Sequence, residues 1–211
     1  MDDNRYDETH KTWNKIAQLY EDVFMDLKLY DDTYHKFCTQ ITKTDASLLE
    51  IGCGPGNITR YLLNYNPKFK ILATDVSKNM VDLAIKNNSS VDHQIIDCRN
   101  IGNLKSKFDG IICGFIIPYL KDSDLLNLIA DIHDLLYEGG ILYLSFVVGK
   151  YKNSKYISGS TGDRTFFYYY NLEKIKKTLE KEYLSITNII EKEYQRSDGK
   201  QEIHVIVIAK K

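Results

Sequence analysis

Two spacings of apolar residues alternate along this chain. In KTWNKIAQLYEDVF, Trp13, Ile16, Ala17, Tyr20 and Phe24 recur at helical intervals, which predicts a helix with one buried face. Tyr34, Phe37, Cys38 and Ile41 repeat that spacing and predict a second helix. From Ala46 the pattern shortens. SLLEIG, KILATD (Lys70 to Asp75), HQIIDC (His93 to Cys98), DGIICGF (Asp109 to Phe115) and GILYLSFVV (Gly140 to Val148) are compact apolar runs, as buried strands are. Between them, SKNMVDLAIKN from Ser77 and SDLLNLIADIHDLL from Ser123 return to the helical interval. Ser77, and Asp122 or Ser123, stand where an N-cap oxygen would accept from the free amides of a first turn. Alternating strands and helices predict an α/β fold, a parallel sheet with helices on both faces.

The tail breaks that rhythm. NLEKIKKTLEKEYL predicts an amphipathic helix with Leu172, Ile175 and Leu179 on one face, followed by two strand-like runs, LSITNIIEKEYQ and EIHVIVIAKK. Asp198 and Gly199 in the link between them predict a hairpin, since glycine accepts positive φ. An antiparallel pair therefore closes the sheet.

Composition narrows the class. A chain of 211 residues with 43% hydrophobic and 27% charged residues supports one globular core with additions rather than two domains. Lysine and arginine number 28 against 29 acids, a net charge of −1, so no overall field draws the chain to nucleic acid or an anionic membrane. No apolar run is long enough to span a bilayer, and MDDNRYDETHK is too polar and acidic for a targeting segment, so a cytoplasmic protein is expected. Cys38, Cys53, Cys98 and Cys113 lie apart, with no CxxC pair and no histidine beside them, which argues against a metal cluster or a disulfide framework.

The chemistry gathers at LLEIGCGPGNITRYLL. A glycine turn straight after a buried strand lets main chain approach a ligand, and the helix that follows offers free N–H groups. Gly52, Gly54 and Gly56 alternate and Asn57 follows, which departs from the GxGxxG turn of dinucleotide-binding proteins. Glu50 stands two residues before the first glycine, and Asp75 closes the next strand nineteen residues after the last one. This set resembles the class I S-adenosylmethionine-dependent methyltransferases, from about Trp13 to the last strand. The resemblance implies a Rossmann-like, doubly wound, mostly parallel seven-stranded sheet ending in an antiparallel hairpin. It divides the chain into an N-terminal helical cap, 1–43, and an S-adenosylmethionine-binding domain, 44–211.

The expected cofactor is S-adenosylmethionine. Backbone donors from Cys53 through Pro55 to Gly56 suit its carboxylate, Glu50 suits the loop and the ammonium, and Asp75 suits both ribose hydroxyls. By resemblance, Asp97 would accept from the adenine amino group with Cys98 and Arg99 flanking the ring and Val76 and Met80 opposite. Cys113, Gly114 and Phe115 would border the transferred methyl, and Tyr20 would lie over the cofactor. The residues alone also allow Asp97 to cap a turn, Met80 to be ordinary core, and Trp13 and Tyr20 simply to share a buried helix face.

Methyl transfer needs no nucleophilic residue, and a base only where the acceptor must lose a proton. His10 and His35 are the histidines nearest the expected mouth; His93, His133 and His204 read as structural or solvated. The long connection 149–171 carries a dense aromatic group and reads as a substrate lid, with Tyr151, Tyr156, Arg164 and Phe167, together with Tyr119, as substrate-binding candidates. An edge strand over Phe166 to Tyr170 is compatible with that reading. The fourth strand lacks the Asp/Asn-Pro-Pro-Tyr tetrad of base-amino methylation, so a small-molecule acceptor is expected rather than nucleic acid. Protein or RNA methylation, or S-adenosylmethionine binding without catalysis, are the alternatives.

Overall fold

The computed structural model describes residues 2–159, 161–196 and 199–211. Its body is a seven-stranded sheet in the order β3-β2-β1-β4-β5-β9-β8. The strands are β1 (Ser47–Ile51), β2 (Lys70–Asp75), β3 (Asp92–Ile95), β4 (Phe108–Cys113), β5 (Leu136–Val147), β8 (Ser185–Gln195) and β9 (Gln201–Lys210). β1 to β5 pair in parallel, and β9 runs antiparallel between β5 and β8. This is the Rossmann-like sheet with the terminal hairpin that the sequence predicts. Of the turn residues expected there, Gly199 has φ +80° and Asp198 lies outside the described residues.

Strand pleating divides the core. Leu49, Ile111, Leu142 and Val207 face one cluster with α6 (Asp122–Leu135) and α7 (Leu172–Lys181). Leu48, Ile112, Tyr143 and Ile206 face the other, with α3 (Asp31–Cys38), α4 (Asn57–Tyr65) and α5 (Lys78–Asn87). Adjacent residues of one strand thus feed opposite faces, the period-two rule at work in a doubly covered sheet.

Two helix starts carry the side-chain caps that local chemistry favours. Ser77 caps α5 by accepting from Met80 N at 3.2 Å, and Asn171 caps α7 by accepting from Lys174 N at 2.8 Å. At α6 neither Asp122 nor Ser123 is the cap. Lys121 holds that place, and phenols from elsewhere accept from the first amides, Tyr6 from Lys121 N at 3.0 Å and Tyr151 from Asp122 N at 3.4 Å.

The expected N-terminal helix is broken into α1 (Asp2–Lys15) and α2 (Ala17–Phe24). The side chain of Asn79 donates to the Asn14 carbonyl at 2.7 Å, drawing that acceptor out of the helical ladder just before the break at Ile16. Segment 149–171 contains a separate two-stranded sheet of β6 (Lys155–Ser158) and β7 (Arg164–Phe167). Phe166 thus belongs to a small hairpin, and only Tyr170 makes an isolated bridge, to Val148 beyond β5.

Candidate functional site

The chain runs outward from β1 through β2 to β3, then returns to β4 on the other side of β1. That reversal opens a crevice at the strands' carboxyl ends, where open α/β sheets bind ligands. The glycine loop lies at this point. Gly52, Gly54 and Gly56 have φ of +71°, +53° and +88°. A Cβ on Gly52 would stand 1.9 Å from Ile116 Cδ1, whereas one on Gly54 would meet only Tyr20 Cε1, at 3.7 Å. Gly52 is thus needed for packing and turn, and Gly54 leaves open room beneath the N-terminal helices.

The loop amides are largely committed. Cys53 N donates to the Thr74 carbonyl at 2.8 Å, Gly56 N to the Cys53 carbonyl at 3.0 Å, and Gly54 N to Asp75 Oδ2 at 3.0 Å. Pro55 has no N–H to give. The expectation that Cys53 to Gly56 offer donors to a carboxylate is therefore corrected. Those N–H groups fix the loop's shape, and the first-turn amides of α4 are the donors left for an anion. Asn57 and Ile58, at that first turn, line the cavity.

Two carboxylates brace the crevice from below. Glu50 is buried, and Thr59 Oγ1 donates to its Oε2 at 2.5 Å, joining β1 to α4. Its Oε1 is buried without a partner, and burial pushes its carboxyl up to about 8. Asp75 accepts from Ser77 N at 2.8 Å as well as from Gly54. Burial also raises its carboxyl, against the lowering effect of those amides.

The cavity encloses about 1090 Å³, counting its mouth. Gly52, Cys53, Gly54, Asp75, Val76, Met80, Asp97, Cys98, Arg99, Gly114 and Phe115 line it, with Tyr20 and Tyr119 among its aromatic walls. Glu50, Pro55, Gly56 and Cys113 lie behind this lining. Cys113 is fully buried, and Gly56 is packed against Asn88, whose Nδ2 donates to its carbonyl at 2.9 Å. Asp97 caps the turn 98–103 and also faces the cavity. Arg99 grips both its oxygens, with Nη2 to Oδ2 at 2.5 Å. Burial works against ionisation of Asp97, but Arg99 outweighs it and holds the carboxyl below its ordinary range.

The substrate-lid expectation is corrected. Tyr151, Tyr156, Arg164 and Phe167 do not line the cavity. β7 is strapped to α1 instead, with Thr12 Oγ1 donating to Arg164 O at 2.7 Å, Phe166 N to Thr9 Oγ1 at 3.2 Å, and Arg164 paired with Glu8 at 2.5 Å. Tyr156 lies under the Arg164 guanidinium, and Tyr151 stacks on Tyr168. Phe167 packs edge-on behind Tyr119 at 5.7 Å.

What covers the crevice is a roof from α1, α2 and α3. Tyr6, His10, Trp13, Phe24, Tyr30 and Tyr34 line the cavity from that side and were not assigned to the site from sequence, His10 apart. Helical spacing marked Trp13, Phe24 and Tyr34 as lying on buried faces, which was the available signal, but not what those faces cover; Tyr6 and Tyr30 carried no such signal. Trp13 packs edge-on against Tyr20 and Tyr119, each at 5.4 Å, and its indole Nε1 is buried without a partner. Burial lowers the His10 imidazole. His35 faces Tyr65 away from the cavity, and His204, expected to be structural or solvated, is buried against Tyr30.

Residues 49–142 match the family model described as a methyltransferase domain. A malonyl-[acyl-carrier protein] O-methyltransferase of Bacillus anthracis is 32% identical over 47% of this chain and 37% of its own length. A tRNA N(3)-methylcytidine methyltransferase of Schizosaccharomyces pombe is 22% identical over 72% of this chain and 65% of its own. Among solved structures, the 1,6-didemethyltoxoflavin-N1-methyltransferase of Burkholderia thailandensis, bound to 1,6-didemethyltoxoflavin and S-adenosylhomocysteine, superposes with a TM-score of 0.75 at 15% identity. That superposition covers 100% of this chain and 90% of the other. The chain spans little more than a third of the first curated relatives it matches, 37% in two cases and 38% in a third. The loop and the sheet around it thus carry a methyltransferase-domain match over residues 49–142, and the whole chain has the fold of that S-adenosylhomocysteine-bound methyltransferase. S-adenosylmethionine is the methyl donor such domains use, and the residues present fit it: Gly54 presents bare main chain to the cavity, Asp75 lines it, and the first-turn residues of α4, Asn57 and Ile58, face it.

Proposed function

We propose that this chain transfers a methyl group from S-adenosylmethionine to a small-molecule acceptor held between the glycine loop and the helical roof. The observation that carries the reading is the cavity over Gly54 and Asp75, roofed by the aromatic side chains of the N-terminal segment. The roof of apolar and aromatic walls over the crevice keeps bulk water from a ligand laid on the glycine loop. In this reading Asp75 accepts from the ribose hydroxyls, the α4 amides receive the carboxylate, and Asp97 with Arg99 borders the base. Gly114 and Phe115 lie at the reacting end. When bound, S-adenosylmethionine supplies an electrophilic methyl on a sulfonium. The chain's own contribution is alignment, exclusion of water and an aromatic surround that favours a cation.

The tRNA-modifying relative keeps RNA methylation as the competing reading. Calorimetric titration with S-adenosylmethionine and S-adenosylhomocysteine, then a methylation screen that includes both small acceptors and tRNA, separates the two. Product on small acceptors supports the proposal; product on tRNA alone overturns it. Asp75→Ala should weaken cofactor binding at least about tenfold, since charge-assisted hydrogen bonds contribute about 1.5–3 kcal/mol. Unchanged affinity in that variant removes the ribose role.

A further inference from the structure

We propose that Tyr30, His204 and Glu202 form a proton-accepting relay opening on the cavity, so that the methyl acceptor carries an O–H or N–H at the atom that is methylated. This rests on the methyl-transfer reading above. Tyr30 lines the cavity beside Phe115, with ring centroids 5.2 Å apart, and its hydroxyl lies 2.6 Å from His204 Nδ1. His204 stands on β9 opposite Val147, buried beside Tyr30 and Phe115. Its Nε2 is buried without a hydrogen bond and lies 3.6 Å from Glu202 Oε2. Glu202 is also paired with Arg196 at 2.8 Å and is partly solvated, so the chain of groups runs from the cavity to water.

The geometry sets the direction. A carboxylate facing Nε2 favours a proton there, which leaves Nδ1 to accept and the Tyr30 hydroxyl to donate. During transfer the acceptor's proton passes to the Tyr30 oxygen as the Tyr30 proton passes to Nδ1. Tyrosine remains neutral and an imidazolium forms beside Glu202. The acceptor atom keeps its electron pair and bonds to the methyl carbon, while the carbon–sulfur bond breaks with its pair left on sulfur. The imidazolium returns its proton to solvent past Glu202. Burial raises the Tyr30 phenol, which keeps it protonated and suits a conduit better than a standing phenolate. The other groups facing His204 are Tyr194, stacked at 4.8 Å, and Lys192, its register partner on β8, itself paired with Asp32. His204 and Glu202 stand in none of the motifs that carry the resemblance, and in the sequence the hairpin histidine reads as structural or solvated. Only the fold brings it under Tyr30.

Histidine-selective nitrogen NMR on the full chain with S-adenosylhomocysteine, followed from pH 5 to 9, tests the relay. The expected result is neutral His204 protonated at Nε2, a shifted Nδ1 resonance in Tyr30→Phe, and a shifted Nε2 resonance in Glu202→Gln. A proton on Nδ1 with Tyr30 accepting overturns it. In parallel, a panel of phenols, carboxylic acids and amines is assayed across pH. For any compound methylated, kcat should depend on pH in the wild type and lose that dependence in His204→Gln. It should fall about a hundredfold or more in Tyr30→Phe and His204→Gln, with affinity for S-adenosylhomocysteine retained. A purely structural pin between Tyr30 and β9 would change melting or affinity and leave the pH profile intact, which also overturns the relay. If the wild-type chain does not bind S-adenosylhomocysteine, the methyl-transfer reading fails instead, and the ligand-free spectrum still decides the tautomer.

Discussion

Glu50 sets the sharpest expectation at the scale of single residues. Its carboxyl is pushed up to about 8 by burial, so in the folded chain it holds a proton that the unfolded chain has released above its ordinary range near 4.5. Its contribution to stability is therefore full below the unfolded value and is lost as pH rises towards 8. Melting temperature followed between pH 4.5 and 8.5 should show this decline in the wild type and a flatter profile in Glu50→Gln; parallel profiles would count against the buried proton. The glycines separate two causes in the same way. Gly52→Ala drives a Cβ into Ile116 at positive φ and should lower the melting temperature sharply. Gly54→Ala places its Cβ in ordinary contact with Tyr20 at the cavity wall, so beside the strain of a positive φ it should lower cofactor affinity measured by calorimetry. Gly52, Gly54, Asp75 and Asp97 were legible because the strand, turn and next strand that bear them form a local unit with fixed spacing. The use made of the loop amides was not legible, since their acceptors, Thr74 and Asp75, come from the neighbouring strand.

Among the elements, the β6–β7 hairpin shows how an aromatic-rich connection can be misread. Its rings declare apolar surface to be buried, and a lid and a strap bury it equally well in sequence terms. The structure buries Phe166 against α1, where the Arg5 guanidinium stands 4.1 Å over its ring. The strap's strength should lie in its buried hydrogen bonds rather than its charges. Thr9→Val leaves the buried Phe166 amide without its partner and should cost about 1–3 kcal/mol. Lys15→Ala removes an exposed pair with Asp163 and should cost less than about 1 kcal/mol. Urea unfolding of the two variants checks the order, and an equal loss would show that the strap is electrostatic. The broken N-terminal helix has a similar origin, because Asn14 is drawn sideways by Asn79 of α5, a partner sixty-five residues away.

Viewed as a whole molecule, the sheet and its flanking helices, α3 among them, form one body, and α1 and α2 are a cover fastened to it through side chains. Asn14 bonds to Ser77 at 3.0 Å, Glu21 to Asn87 at 2.5 Å, Arg60 to Asp26 at 2.6 Å and Tyr6 to Asp124 at 2.6 Å. Beneath them lies the cavity rather than close-packed core, so this cover should open locally at lower free energy than β4 or β5. Hydrogen exchange should show protection of residues 2–24 rising on addition of S-adenosylhomocysteine, with the central strands unchanged. A response confined to the glycine loop would show that the cover does not close on the ligand. No helix among the described residues is long and apolar enough to cross a membrane.

By itself the sequence determined the number and order of the main strands, the terminal hairpin, the glycine turn and the acids at the ends of β2 and β3. Each of these rests on spacing within a short stretch, where local backbone geometry converts pattern directly into structure. Tertiary structure alone decided that Trp13, Tyr20 and Tyr30 roof one cavity, that the aromatic connection clasps α1, and that His204 reaches Tyr30 from a strand at the other end of the chain. Periodicity specifies which face of an element must leave water. The surface that receives that face depends on how distant elements close around one another, and no local spacing encodes it.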